Sequence, residues 1–234
     1  MDTVLVFDIW GDLGHFKKPY TTTSPLSYAF PPRTTIAGMI SAIIGLDKNE
    51  YADHFTKQIS NIGIRIINPV KKIRISQNLI DTKTARLFSK IRQRTQIRIE
   101  FIKDPKNRIY FQHQDTNLFE SLNALLKNHE SVYTVCMGLS ELLANFRYVG
   151  QLALERIPNK EPVKIHSVVL EQKAEIEEFE KGKEYFSVHI PLEMNRERIV
   201  SQFGTVLYER NGKSLLVKTK DAFRVENGEQ ILFL

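Results

Sequence analysis

Pro31-Pro32-Arg33-Thr34-Thr35-Ile36-Ala37-Gly38-Met39-Ile40-Ser41-Ala42-Ile43-Ile44-Gly45 decides the fold class. Its apolar residues at 36, 39, 40, 43 and 44 follow the spacing of one buried helical stripe. The paired prolines end the segment before it, Thr34 or Thr35 is placed to cap the first turn, and Gly45 to close the last. Upstream, Thr3–Ile9 is rich in β-branched and aromatic residues and predicts a buried strand. Downstream, Ile62, Ile64 and Ile66 alternate with Gly63 and Arg65 and predict a second. The helix therefore joins two strands.

The same pattern recurs further out. Gln96–Phe101 alternates strictly, Asp104-Pro105-Lys106-Asn107 marks a turn, and Ile109–Phe111 returns, so a hairpin is predicted there. Leu118, Leu122, Leu125 and Leu126 share one face of a helix over about Asn117–Lys127, with Thr116 as its cap, and Val132–Met137 reads as a further strand. The order β-α-β-β-α-β predicts an α+β, ferredoxin-like domain, with two helices on one face of an antiparallel sheet. Pro158–Pro162 reads as a linker. Beyond it lie short β-like runs (Val163–Leu170, Tyr185–Leu192, Thr205–Tyr208, Leu215–Lys218, Ile231–Leu234), a short helix over Asn195–Phe203 and an Asn211-Gly212 hairpin turn. The expected division is residues 1–157 and a small β-rich subdomain, 158–234.

Composition narrows the function. The chain has 234 residues, 42% hydrophobic, and no apolar run of about 18 residues, so no membrane span is expected. The start, Met1-Asp2-Thr3-Val4, lacks a basic leader, and Cys136 is a lone cysteine in an apolar run; both fit a reducing, cytoplasmic setting. Net charge is +6, yet Lys71–Arg108 alone holds twelve basic and three acidic residues. Charge so concentrated suits a polyanion, with a protein-docking surface as the other reading.

No phosphate-binding loop, H-E-x-x-H or C-x-x-C occurs, and the six histidines (15, 54, 113, 129, 166 and 189) have no ligand spacing, so neither metal nor cofactor is expected. Gly11-Asp12-Leu13-Gly14 matches the G-x-x-G clamp but not the element order that goes with it. What remains is positive charge interleaved with aromatic rings. His15, Phe16, Lys17, Lys18 and Tyr20 lie in the long loop 11–32, and Arg86, Arg92, Arg94 and Arg98 in the basic stretch. Single-stranded RNA is held by this mixture of backbone charge and stacking surface. Arg33 and Thr34, at a helix start, suit phosphate oxygens, or equally simple capping with Arg33 in water.

Phe7-Asp8-Ile9-Trp10-Gly11, Phe16-Lys17-Lys18-Pro19, Ser24-Pro25, Pro31–Ile40 and Ile44-Gly45-Leu46 together resemble the N-terminal motif of the Cas-five family of CRISPR-associated RAMP proteins. The resemblance is tight over these forty residues and loose over the rest. It implies a ferredoxin-like RAMP domain with a β-hairpin thumb, here about 75–113. It also implies a non-catalytic subunit of Cascade, the surveillance complex of CRISPR antiviral defence, and the motif leans to type I-B. Such a subunit caps the 5′ handle of the crRNA and docks the backbone and large subunits. Lys17, Lys18, Tyr20 and Arg33 match the region near the handle. One branch of the family cleaves pre-crRNA without metal, using a tyrosine and a Lys-His pair. As the alternative function, His113 would then be the base and Tyr51 its partner, although Gln112 stands where the lysine would be.

Overall fold

The computed structural model describes residues 3–21, 23–80, 94–158 and 162–234. In chain order the strands are β1 (Thr3–Trp10), β2 (Leu13–Gly14), β3 (Ser60–Ile66), β4 (Lys71–Ile80), β5 (Arg94–Lys103), β6 (Lys106–His113) and β7 (Asn145–Arg156). They continue with β8 (Val163–Ile165), β9 (Val169–Leu170), β10 (Ala174–Ile176), β11 (Tyr185–Met194), β12 (Val200–Glu209), β13 (Leu215–Thr219), β14 (Phe223–Val225) and β15 (Gln230–Ile231). Helix α1 is Arg33–Ile44 and α2 is Thr116–Asn128.

The fold is α+β and ferredoxin-like. One antiparallel sheet runs β15-β14-β7-β1-β6-β3, and the four strands at its β3 end, β7-β1-β6-β3, are those that α1 and α2 connect. Alternation on β1 explains its central place. Leu5, Phe7 and Ile9 pack with the stripe Ile36, Met39, Ile40 and Ile43 of α1 and with Leu118, Leu122 and Leu126 of α2. Val4 and Val6 point the other way, onto Tyr110, Val225, Ile231 and Phe233. The main core also takes in Val168, Leu170, Ile190, Leu192, Val206, Tyr208 and Leu234, so apolar packing runs unbroken from the first half of the chain into the second.

The structure corrects several local expectations. The fourth strand of the ferredoxin pattern is β7, not Val132–Met137. The latter segment turns its amides onto α1, with Val132 N–H donating to Ile43 O (3.0 Å) and Tyr133 N–H to Ala42 O (2.9 Å). It thereby satisfies carbonyls that the last helical turn leaves open. The N-cap of α1 is Pro32, without a side-chain bond, rather than a threonine; that of α2 is Asp115, which accepts from Asn117 and Leu118 N–H, rather than Thr116. Gly45 does close α1, at φ 82°.

The hairpin is also re-paired. β5 lies antiparallel to β4, while the returning arm, Ile109–Phe111, belongs to β6 and pairs with β1 and β3. Ile109, Tyr110 and Phe111 are fully buried, which only an interior strand allows, whereas Arg94–Gln96 and Arg98 of β5 are exposed. Asn195–Phe203 is no helix: it spans a turn and the start of β12, which pairs with β11. Asn211-Gly212 links β12 to β13, strands of different three-stranded sheets, rather than closing a hairpin. Gly212 has φ +74°, and a Cβ there would stand 2.3 Å from Ile66 O. Among the described residues no helix is long and apolar enough to cross a membrane.

Candidate nucleic-acid interface

The register of β4 on β5 sorts the hairpin into two unlike faces. Ile73 opposes Phe101, Ile75 opposes Ile99, Gln77 opposes Ile97 and Leu79 opposes Thr95, all on one side. On the other side Lys72 opposes Ile102, Arg74 opposes Glu100, Ser76 opposes Arg98, Asn78 opposes Gln96 and Ile80 opposes Arg94. Beyond the exposed Lys71–Lys103 pair at its base the first face is mainly apolar, and the other is mainly polar and basic, with Ile102 at its base and exposed Ile80 at its outer end. Phe101 and Ile99 are buried near the base, but Ile75 and Leu79 farther out are exposed.

The early loop is bonded to the base of this hairpin. Leu13 and Gly14 of β2 pair with Lys103 and Ile102 of β5, and Glu100 N–H donates to Pro25 O (3.0 Å). The Glu100 carboxylate accepts from Ser27 N–H (3.2 Å) and from Lys72 Nζ (2.8 Å); Lys72 Nζ also donates to Ser27 O (3.2 Å). His15 Nδ1 lies 2.7 Å from Glu100 O, and Ser27 forms a β-bridge with Lys17. Lys17 of the loop and Lys72 of the hairpin are therefore separated by one residue, Ser27. Burial alone would raise the Glu100 carboxyl, but the hydrogen bond and charge of Lys72, the Ser27 N–H and Arg74 outweigh it and hold Glu100 below the usual glutamate range.

Lys18 lies over two tyrosine rings, with Nζ 5.9 Å from the centre of Tyr20 and 5.6 Å from that of Tyr28. Tyr20 is 69% exposed, whereas burial and neighbouring Tyr20 push Tyr28 up to about 12. Among the described residues Lys17, Lys18, Arg94 and Arg98 form no ion pair, so their charge faces solvent or a partner. Arg86 and Arg92 lie outside the described residues. The structure thus brings Lys17, Lys18 and Tyr20 to the base of the hairpin whose basic face carries Arg94 and Arg98.

Arg33 is a correction. Its side chain is 1% exposed, and its guanidinium donates to Phe55 O (2.8 Å), Leu192 O (3.0 Å), Ser60 O (2.9 Å) and Ser60 Oγ (2.8 Å). Burial drives its pKa down to about 10 against the opposing pull of Glu193. It ties the start of α1 to β3 and β11 and is not available to phosphate. Thr34 remains partly exposed, in a cleft of about 350 Å³ with Thr35, Gly38, Tyr51, Thr134 and Gly138.

His113 is the other correction. Its Nδ1 accepts from Asp115 N–H (3.0 Å), so Nε2 carries the proton and donates to His54 O (2.6 Å). With both nitrogens occupied, its ring buried and packed on Phe55 and Phe111, it offers no lone pair to a substrate hydroxyl. His113 and Tyr51 also line different clefts. Among the described residues no group of His, Cys, Asp and Glu could hold a metal ion.

Sequence reasoning named His15 in the early loop but did not single out the pieces that complete the junction: Ser27, Lys72 and Glu100. The available signal was Glu100, a single acid in the alternating basic strand Gln96–Phe101. It also missed a row across the sheet. Buried Asp8 accepts from Arg108 (2.8 and 3.3 Å) and Arg147 (3.4 Å), with Lys106 Nζ at 3.8 Å and also over the Trp10 ring at 5.5 Å. Glu229 closes the row, binding Arg65, Arg108 and the Tyr110 hydroxyl.

Comparison with known proteins agrees with this architecture. The model of the family described as CRISPR-associated protein (Cas_Cas5) matches residues 4–200. None of the curated proteins compared matches the chain. Among solved structures, a CRISPR protein from Archaeoglobus fulgidus is 15% identical with a TM-score of 0.57, covering 98% of each chain. A chain of a CRISPR RNA-guided surveillance complex is 9% identical with a TM-score of 0.55, covering 92% of this chain and 91% of that one. A chain of the type III-B Cmr-beta complex bound to cognate target RNA is 10% identical with a TM-score of 0.52, covering 90% and 86%. At these identities the likeness is one of fold.

Proposed function

Because the chain belongs to the CRISPR-associated protein (Cas_Cas5) family, we propose that it is an RNA-binding subunit of a Cascade-type complex, of type I-B, working in the cytoplasm. In this reading it caps the 5′ handle of the crRNA. Lys17, Lys18 and Tyr20 hold the handle beside the basic face of the hairpin, where Arg94 and Arg98 meet further phosphates. The single observation that carries the reading is the junction itself. Loop and hairpin are hydrogen-bonded through Ser27 and Glu100, so the segments that carry these cations are joined at their bases. Neighbouring cations with an exposed ring suit the phosphodiester backbone and stacked bases of single-stranded RNA. The opposite, apolar face of the hairpin, with Ile75 and Leu79 exposed, suits a protein neighbour, here the backbone subunit. Docking of the large subunit is part of the same proposal and rests on the family.

The test is RNA affinity against salt. If about six phosphates are neutralised, log K should fall with log salt at a slope near −4 for single-stranded RNA. Lys17→Glu with Lys18→Glu, or Arg94→Glu with Arg98→Glu, should lower affinity at least tenfold and flatten the slope by about 1–2, with Tm unchanged. Unchanged retention of crRNA by both double variants would sink the proposal. The cleavage alternative gains nothing from His113, whose nitrogens are both taken. Incubation with repeat RNA in EDTA should therefore leave the RNA intact.

A further inference from the structure

At the far end of the central sheet from the hairpin lies a cleft of about 360 Å³ that the proposed RNA clamp does not use. It is lined by Gln58, Asn61, Gln112 and Gln114, with Ile59, Ser60 and His113 behind them and the Phe223 ring on one wall. The hairpin leaves the sheet at Ile66 and re-enters at Lys106, whereas the cleft sits at the Ser60 end of β3 and the His113 end of β6. At about 3.3 Å per residue the two are roughly 20 Å apart.

Four carboxamides line this one cleft, Gln112 buried and Gln58, Asn61 and Gln114 exposed, with no Asp, Glu, Lys or Arg in the lining. Part of the set is held in place. Asn61 Nδ2 donates to Gln112 Oε1 (3.2 Å), Gln112 Nε2 donates to Thr3 O (2.8 Å), and Gln114 Nε2 donates to Gln58 O (2.6 Å). These bonds fix which way the amides point and leave Asn61 Oδ1 and Gln114 Oε1 as acceptors. The Gln58 carboxamide makes no hydrogen bond among the described residues and supplies both a donor and an acceptor. Such donor–acceptor pairs match the edge of a nucleobase, adenine above all. A half-exposed aromatic wall supplies the stacking face.

An added peptide strand fits less well. The outer edge of β3 is already occupied, by Val168 N–H on Ile64 O (2.8 Å) and by Leu234 N–H on Ile62 O (3.0 Å), and Gln114 N–H takes Ile59 O (2.8 Å). Phosphate fits less well too, since no Lys or Arg lines the cleft and Arg156, opposite Phe223 in the register, is paired with Asp221 (3.4 Å).

We propose that this cleft is a base-reading site, which takes one unpaired adenine of an RNA strand between Phe223 and the Gln58, Asn61 and Gln114 amides. The proposal rests on the RNA-binding reading only in taking RNA as the partner; the site and its chemistry are separate. Two measurements test it. In the first, the full chain is irradiated with 8-azidoadenosine and the labelled peptides are mapped. Label on the 58–61, 112–114 or 223 peptides, competed by adenosine, is expected. Label confined to 15–28 or to the hairpin, or none, overturns the site whether or not the protein binds RNA.

In the second, oligo-A and oligo-U of equal length are compared at fixed salt. The native chain should prefer oligo-A by about tenfold. Gln58→Ala with Asn61→Ala should erase that preference and leave the salt slope intact, whereas the Lys17 and Lys18 reversal should do the opposite. Equal affinities in the native chain, or a preference surviving in the double variant, would overturn it. So would protection of the cleft from hydrogen exchange by a protein partner but not by RNA, which would mark the cleft as a protein contact.

Discussion

Replacing Arg33 by methionine should unfold rather than unbind. The guanidinium makes four hydrogen bonds, three of them to backbone carbonyls on segments 22, 27 and 159 residues away in sequence. Methionine keeps the buried stem but leaves those carbonyls without that donor, at about 1–3 kcal/mol each. Against this, the native state carries the cost of burying a guanidinium without a carboxylate in contact, several kcal/mol. The balance is a loss of about 3–5 kcal/mol. At about 2–4 °C per kcal/mol for a chain of this size, Tm should fall by roughly 6–20 °C. Arg33→Lys keeps the charge but cannot spread it over Phe55, Ser60 and Leu192, and should recover less than half of the loss. The assay is thermal and urea denaturation beside RNA titration of the folded fraction. A variant with Tm unchanged and RNA affinity reduced tenfold would refute the reasoning, because it would mean that the side chain leaves its cage to meet phosphate.

Three further outcomes are expected. Glu100→Gln should cost about 1–2 kcal/mol at neutral pH, discounted for the partly exposed Lys72, and make the loop at Pro25–Ser27 more sensitive to protease. Because the folded carboxyl is held below its ordinary value, its contribution is complete above the unfolded pKa of about 4.3 and fades as pH falls through the depressed value; native and variant stabilities should therefore converge in acid, and a constant gap down to pH 2 would contradict the linkage. Gly138→Ala should cost about 2–4 kcal/mol, since φ is +98° and the new Cβ would stand 2.0 Å from His15 O, a backbone atom; an unchanged urea midpoint would disprove it. Ile40→Asp puts a carboxylate at a fully buried position of the α1 stripe and should abolish the cooperative transition in circular dichroism.

The periodic elements were legible because their signal is local. The α1 stripe and the alternating isoleucines of β3 name their own partners by burial. β7 carried an equally readable alternation, Phe146, Tyr148, Leu152 and Leu154, yet the apolar run just before it competes for the same role. That run is diverted by two amides that reach the end of α1, a long-range event invisible in its residues. Pairing was the harder problem. Asp104-Pro105 does bend the chain, but whether Ile109–Phe111 folds back on β5 or enters the sheet depends on β1, a strand distant in sequence. At the interface, Lys17, Lys18 and Tyr20 could be picked out by type alone. Arg33 and His113 could not be placed, because the carbonyls that hold the Arg33 guanidinium and the His113 Nε2 belong to segments with no sequence mark of the meeting.

β1 sits between β6 and β7, and Leu5 faces Phe111 on one side and Gln151 on the other. During synthesis this greasy segment leaves the ribosome roughly a hundred residues ahead of β6 and further still ahead of β7. Pairings so distant close slowly, and meanwhile the segment is a template for the wrong chain. Yield on refolding from urea should accordingly drop as protein concentration rises, and a holdase chaperone should restore it.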